Sequence, residues 1–491
     1  MLKNNFLLIC IILIATILRF YQLSQIPPGL YSDEVSNGYN AYSILKTARD
    51  EYGNLLPLSF RSFGDYKPPF YIYVLVPSIA VFGLNDFAVR FPSAFAGVLT
   101  VLLTYIFTRQ LFKNNNIALW ASFFLAISPW HLQFSRGGFE ANFMIFLTLL
   151  GVVLFLNSFK KSFLLIPSVI SFGLALNTYQ GAKLWVPLIL LCIIVFYLKY
   201  ILRFGKKLYV PLLILMLLAI PLFHNFNNNL IRGKSVSIFE NSDKPIEEFI
   251  TGYLSHYSPR FLFMQGDSIG RHSVPGIGEL YVFEIPLVAA GLFALIKSKQ
   301  VSSKFLLTWL LIAPIPASFA TPVPHALRSL TFIPVWAIIS SYGLKTLSTV
   351  PIKKFIKLIA AFILLLIASY NIATYFHLYY KHYPKEKGPD WGDGYKQMVQ
   401  YVETIKRNYD TIAITKWYGD PYIFTLFYLK YDPKKYLNEG GNKNGFDKFV
   451  FFPTTGKEIR GKTLYITNPD HSTVLQQIRN YKGDVVFDAL E

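Results

Sequence analysis

Charge is scarce in this chain. Only 15% of its 491 residues are Asp, Glu, Lys or Arg, where a water-soluble domain carries about 25%, so a charged shell around a single core is excluded. Cysteine is nearly absent too. Cys10 and Cys192 are the only two, each inside an apolar run, and they offer neither a disulfide framework nor a thiolate metal site. No low-complexity tract and no repeat of fixed period stands out, which argues against a solenoid or an array. One set of connections lacks acids altogether. The segments 109–116, 160–161, 199–207, 297–304 and 345–357 carry Lys and Arg but no Asp or Glu.

What the chain does have is apolar length. Hydrophobic residues make up 53% and aromatic residues 17%, and apolar runs near the roughly 20 residues needed to cross a bilayer recur from residue 5 to 378. The acid-free connections then read as cytoplasmic loops under the positive-inside rule. The formal charge of +19 is therefore largely a topology signal, and a nucleic-acid partner is not expected. Threading those loops inward predicts eleven spans, 5–23, 88–110, 117–134, 141–159, 163–178, 184–201, 208–223, 281–296, 305–320, 329–346 and 355–378, with the N-terminus inside and the C-terminus outside. The run Phe6–Phe20 is followed by no small-residue cleavage site and reads as a retained first helix rather than a signal peptide.

One apolar stretch breaks the parity. PPFYIYVLVPSIAVFG, residues 68–83, would put the basic clusters at 199–207 and 345–357 outside if it crossed. It holds Pro68, Pro69 and Pro77 and reads as a juxtamembrane or re-entrant segment at the outer interface. The outer loop 24–87 then carries Asp33, Glu34 and Lys67, with Arg90 at the entry of the next helix. A second outer loop, 224–280, is long and mixed in composition, as lids and binding elements often are. After residue 378 the composition changes. Segments 412–414, 449–452, 464–467 and 485–487 read as strands, and 395–405, 421–429 and 473–481 as helices. The expected fold class is an α-helical polytopic membrane protein over residues 1–378, with extracytoplasmic juxtamembrane helices, followed by a small extracytoplasmic α/β domain over 379–491.

Chemistry-bearing residues gather on the outer side. In YSDEVSNGYNAY, Ser32 or Asp33 suits a helix N-cap and Glu34 suits the positive helix end. The same acids suit a base that takes a proton from a hydroxyl nucleophile, or ligands for a metal that does so. Adjacent helical residues diverge, so one acid faces a site while the other orients it or binds a metal. In GDYKPPFY, Lys67 is either a snorkelling anchor or a phosphate contact. Glu140 in SRGGFEAN starts a helix close to the membrane surface. His325 and Arg328 lie in the proline-stiffened turn TPVPHALRS, Arg90 in AVRFPSA, and Lys183 beside an aromatic in TYQGAKLW. Outer arginines oppose the topology rule and need another reason, either a phosphate or an ion pair with an outer acid. Together these residues suit a substrate with a lipid tail, a phosphate and a polar group to transfer.

The order YSDE, KPPFYIY, AVRFPSAFAGVLTVLLTYIFTRQLF, FSRGGFEAN and PHALRSL resembles the C-type (GT-C) glycosyltransferase superfamily over about residues 5–346. It is most similar to the branch of protein O-mannosyltransferases and aminoarabinose (lipid A) transferases. The resemblance implies inverting transfer of a sugar from a polyprenyl-phosphate-linked donor to an acceptor, whether protein, glycolipid or envelope glycan, on the extracytoplasmic face of the cell membrane. By the same resemblance Asp33 is the general base and Glu34 its partner. Lys67 meets the lipid phosphate, which needs charge neutralisation by Lys67, Arg90 or Arg328. Glu140 stands where many members carry aspartate. A divalent cation is left open. Two other classes stay in view, a transporter or flippase of lipid-linked sugars and a non-catalytic scaffold. A transporter would place its ionisable groups near the bilayer midplane.

Overall fold

The computed structural model describes residues 2–224, 233–453, 459 and 461–491. Among them seven helices are long and apolar enough to cross a bilayer, namely Asp86–Phe112, Glu140–Ser158, Ala182–Leu202, Gly205–His224, Val301–Ser318, Leu330–Thr349 and Lys354–Lys387. The pair Asn115–Ile127 and Pro129–Arg136 makes an eighth if counted as one span. The remaining expected spans are also helical but shorter, at Asn4–Phe20, Ser162–Leu176 and Ile285–Lys297. The chain is a multi-pass membrane protein. The segment that broke the parity is a helix, Phe70–Phe82, with 13 residues and Pro77 inside it. At about 1.5 Å per residue it covers less than a hydrocarbon core about 30 Å thick, as does the equally long Ile285–Lys297, so length alone does not separate the two.

The expected single helix 117–134 is bent by 56°. Proline has no N–H to give and its ring collides with the carbonyl four residues back. Pro129 therefore opens a new helix, and the Ser128 Oγ caps it by accepting from the His131 N–H at 3.3 Å.

The chain divides into two compact units. The first comprises Met1–Tyr21, Phe63–Tyr71 and Ser93–Leu378; the second comprises Gln22–Ser62, Ile72–Pro92 and Tyr379–Glu491. Most of the expected outer loop 24–87 thus sorts with the C-terminal residues.

In the first unit, buried polar groups hold apolar helices in place. The fully buried Arg19 donates to the carbonyls of Ala15, Leu125 and Ala126 and to His131 Nδ1 at 2.8 Å. Arg136 donates to the Leu18 and Tyr21 carbonyls, both at 2.7 Å. These bonds attach the first helix to the bent pair. Glycine does the same work elsewhere. A Cβ on Gly343 would stand 1.8 Å from the Leu287 carbonyl, and one on Gly291 would stand 2.1 Å from the Ile339 carbonyl. Helices Ile285–Lys297 and Ile333–Thr349 pack backbone to backbone because both positions lack a side chain. By contrast, the helix Lys354–His377 exposes Phe355, Ile359, Phe362, Leu365 and Tyr370. An apolar surface of that kind belongs in hydrocarbon.

The second unit contains a six-stranded sheet. Its spatial order is Gly445–Phe446, Phe449–Phe452, Thr411–Thr415, Thr463–Thr467, Val485–Leu490, Gln476–Arg479. The strand Thr411–Thr415 is buried along its whole length and pairs in parallel on both sides, as its continuous apolar run requires. Helices Tyr395–Ile405 and Pro421–Tyr428 form as expected. They meet through Tyr395 and Phe424, stacked 3.9 Å apart.

One expectation here is corrected. Residues 473–481 are not a helix, for Gln476–Arg479 is an edge strand antiparallel to Val485–Leu490. Gly483, at φ +99°, closes a tight turn by donating to the Asn480 carbonyl at 3.0 Å. That register sets Ile478 opposite the fully buried Phe487. Tertiary pairing overrides the local helical preference.

The glycine contact makes a direct prediction. Gly343→Val should cost about 1–3 kcal/mol through overpacking and lower the thermal midpoint in detergent. An unchanged midpoint would contradict backbone-to-backbone packing of these helices.

Candidate active site

The acid pair opens the helix Ser32–Thr47 in the second unit. The N-cap is Tyr31, one residue earlier than expected, with extended backbone, and Glu34 reaches back to accept from the Tyr31 N–H at 3.2 Å. Glu34 is fully buried. Its Oε1 lies 2.9 Å from the Nε of Arg90, and neither side chain has any exposure. Arg90 also donates from Nη1 to the carbonyls of Leu23 at 3.1 Å and Pro27 at 2.7 Å. Its Nη2 donates to the Gly29 carbonyl and to Glu34 Oε2, the latter at 3.3 Å. A guanidinium has five N–H groups, and these contacts occupy all of them. Of the two reasons expected for an outer arginine, Arg90 meets the second, an ion pair with an outer acid.

The residues around this pair belong to the same unit. The Trp391 ring lies 5.4 Å from the Arg90 guanidinium carbon and 5.6 Å from the Tyr31 ring, edge to face. Trp391 Nε1 donates to the Tyr383 hydroxyl at 2.8 Å. Gly29 has φ +69°, and a Cβ there would fall 2.7 Å from the Trp391 carbonyl. Only glycine fits that backbone and still lends its own carbonyl to Arg90. Asp86, four residues before Arg90, is paired with Lys396 and accepts from the Tyr428 hydroxyl at 3.2 Å.

Asp33 precedes Glu34 by one residue, so its side chain leaves the helix about 100° away. It is half-buried where Glu34 is fully buried. The pair therefore divides as adjacent helical residues must. Both Glu34 oxygens are turned to Arg90.

The other expected site residues lie in the first unit. Lys67 and Glu140 come together, Nζ to Oε1 at 3.9 Å, with side-chain exposures of 10% and 15%. That is an electrostatic contact rather than a hydrogen bond. Lys183 donates to the Gln180 side chain, whose amide in turn donates to the Tyr66 carbonyl next to Lys67. Arg328 turns its guanidinium to the Ala320 and Thr321 carbonyls, at 3.0 and 2.9 Å.

His325 leads to residues the sequence reading did not single out. It is buried beside His272, with ring centroids 4.8 Å apart, and its Nδ1 lies 3.9 Å from Asp267 Oδ2. His272 Nδ1 is 2.9 Å from the same oxygen, and the Ala326 N–H donates to it at 2.7 Å. The His325 N–H donates to His256 Nε2 at 3.1 Å, and Glu279 Oε1 accepts from the Asp267 N–H at 3.0 Å. Burial pulls all three histidines below their usual range, His256 to about 4. Burial, the largest influence, would raise the Asp267 carboxyl, but the hydrogen bond and charge of His272, the charge of His325 and the Ile269 N–H together hold it low. A visible signal existed in GDSIGRH, an acid and a histidine five residues apart in an outer loop. Trp391 and Glu51 gave none, since burial alone makes them matter.

Residues 9–234, a little under half of the chain, match the family described as dolichyl-phosphate-mannose-protein mannosyltransferase. The matched stretch contains Asp33, Glu34, Lys67, Arg90, Glu140 and Lys183. A Bacillus subtilis protein with the provisional name mannosyltransferase YycA is 28% identical over 175 residues, 35% of this chain and 24% of its own. The chain spans about a quarter of the length of the curated relatives it matches. ArnT from Cupriavidus metallidurans aligns over 98% of this chain and 97% of its own, at 12% identity and TM-score 0.58. The archaeal oligosaccharyltransferase AglB from Archaeoglobus fulgidus aligns over 87% of this chain and 63% of its own, at 15% identity and TM-score 0.53. At such identities these likenesses establish the fold alone, one that this chain shares with ArnT and AglB.

Two outcomes follow from the second unit. Arg90→Met leaves the Glu34 carboxylate buried without its partner, which should cost about 3–5 kcal/mol. Chemical denaturation would show this, and a loss under about 1 kcal/mol would mean the pair is not buried. The second concerns Glu51, which burial raises to about 7, partly offset by Lys443 and by the Asn40 amide at 3.2 Å. Folded Glu51 keeps a proton that the unfolded chain, near pKa 4.3, has lost. The folded state thus binds more protons in that window, and stability should fall as pH rises from about 4.3 to about 7, by at most about 4 kcal/mol. Glu51→Gln should flatten that stretch of the stability–pH curve. An unaltered slope would show that Glu51 is not responsible.

Proposed function

We propose that this chain is a glycosyltransferase that moves a sugar from a polyprenyl-phosphate-linked donor to an acceptor on the extracytoplasmic face of the cell membrane, with inversion and with Asp33 as general base. The observation that carries this reading is the division of the acid pair. Glu34 is committed to Arg90, and Asp33 is left half-exposed on the same helical turn. The family match over residues 9–234 and the fold shared with ArnT and AglB support the reaction class. Solved forms of those two enzymes carry undecaprenyl phosphate and dolichol phosphate respectively, which supports a lipid-phosphate leaving group here.

In this mechanism the acceptor heteroatom attacks the anomeric carbon as the carbon–oxygen bond to the lipid phosphate breaks. The acceptor proton passes to the Asp33 carboxylate. Polyprenyl phosphate departs as an anion, so the site must supply positive charge rather than a proton. Lys67 is assigned that task, with Arg328 as a second cation. Arg90, whose donors are spent, is a positioning residue that fixes the first turn of the helix through Glu34. Glu140 holds Lys67 in place and releases it to the phosphate. His325 and Lys183 are not assigned a step.

Purified protein supplied with a labelled polyprenyl-phosphate sugar and envelope acceptors tests the proposal. Asp33→Asn should fold normally and lose about 10²–10⁴ of the transfer rate, the usual contribution of a general base. Wild-type turnover by that variant would refute the role. Movement of the donor across proteoliposome membranes with no transfer to any acceptor would favour the flippase reading.

A further inference from the structure

We propose that Asp267, His272 and His325 form a binding site for a divalent transition metal of the zinc class, separate from the acid pair. Each of the three offers one ligand atom, and these atoms lie within 4.8 Å of one another. They come from two segments of the first unit. Asp267 and His272 lie in the loop that follows Arg260–Gln265, and His325 lies in the turn 319–329. All three are buried, at 6%, 4% and 5% exposure.

The chemistry of this set is selective. Two imidazoles and one carboxylate suit zinc, whereas calcium and magnesium take oxygen ligands. Bonds of about 2.0–2.1 Å to a tetrahedral zinc put neighbouring ligand atoms about 3.3 Å apart. The separations here, 2.9 Å for His272 to Asp267 and 3.9 Å for His325 to Asp267, lie either side of that value. Shifts well under 1 Å would bring both to it, and the widest separation in the set, at most 4.8 Å, would close by up to about 1.5 Å on binding.

The support around the ligands is already built. Asp267 Oδ2 accepts from the Ala326 N–H and Asp267 Oδ1 from the Ile269 N–H at 2.9 Å. Its backbone N–H is held by Glu279 and its carbonyl accepts from the Ser273 hydroxyl at 2.7 Å. His256 fixes the backbone of His325 and accepts no ligand role. The nearby cations are Arg271 and Arg328, and the second has its guanidinium turned to backbone carbonyls. Three protein ligands leave a fourth position for water or another group. The metal would tie the end of the long outer loop to the turn 319–329, which carries Arg328.

The test uses the full chain in detergent after chelation, titrated with Zn²⁺ and Co²⁺. Wild type should take up stoichiometric metal, show the visible bands of four-coordinate Co²⁺ and gain thermal stability on Zn²⁺ addition. Asp267→Asn, His272→Gln and His325→Gln should each weaken binding by more than the about 10–100-fold typical of an outer-shell change. Metal uptake by these variants equal to wild type overturns the proposal. So does a wild type with no stoichiometric uptake, a result that needs no variant to fold. Neither readout depends on sugar transfer, so this site and the transferase reading can fail separately.

Discussion

A buried arginine must find an acceptor for every N–H, because no water is available to take the remainder. Arg90 solves that problem with one carboxylate and three backbone carbonyls, and the local structure follows from its solution. The loop 22–31 is bent so that Leu23, Pro27 and Gly29 each turn a carbonyl to the guanidinium. Gly29 is required because any side chain there would collide with the Trp391 backbone. Glu34 is drawn inward, and through its bond to the Tyr31 N–H it sets where the helix begins. Asp33 owes its direction and its partial exposure to this arrangement. The acid next to the ion pair is thus oriented by a structure built for its neighbour.

The first unit handles polar groups in the same way but with histidine. Asp267 is surrounded by N–H donors and imidazoles, and Glu279 and His256 hold the backbones of Asp267 and His325. Lys67 and Glu140 make a looser contact at 3.9 Å with some exposure. Glu34 and Arg90 are held by short hydrogen bonds with no exposure, whereas Lys67 and Glu140 meet only through charge at a longer distance.

Much of the fold was legible because hydrophobic length is a local property. Every one of the eleven expected spans is helical, and the short proline-bearing segment at 68–83 is a helix as well, Phe70–Phe82. The strands at 411–415, 449–452, 463–467 and 485–490 follow from continuous apolar runs. What the sequence hid depends on distant partners. Residues 473–481 look helical in isolation and become a strand only because Val485–Leu490 is there to pair with them. The SPW step at 128–130 did carry a bend signal, since serine before proline is both cap and breaker. At the site, both Glu34 and Arg90 stood out from the sequence, yet nothing local distinguished a phosphate clamp from an ion pair across 56 positions. Trp391 was invisible for the same reason, as its meaning lies in what it touches, whereas Asp267 carried only the local signal of a histidine five residues on.

The central claim is that the two adjacent acids do different work, Asp33 in chemistry and Glu34 in architecture. The most direct measurement takes Asp33→Asn and Glu34→Gln side by side, reading both thermal midpoint and single-turnover sugar transfer on each protein. The account predicts that Asp33→Asn keeps the wild-type midpoint and loses transfer, while Glu34→Gln lowers the midpoint and retains measurable transfer in the folded fraction. The reverse pattern, with Glu34→Gln stable but inactive and Asp33→Asn active, would contradict it.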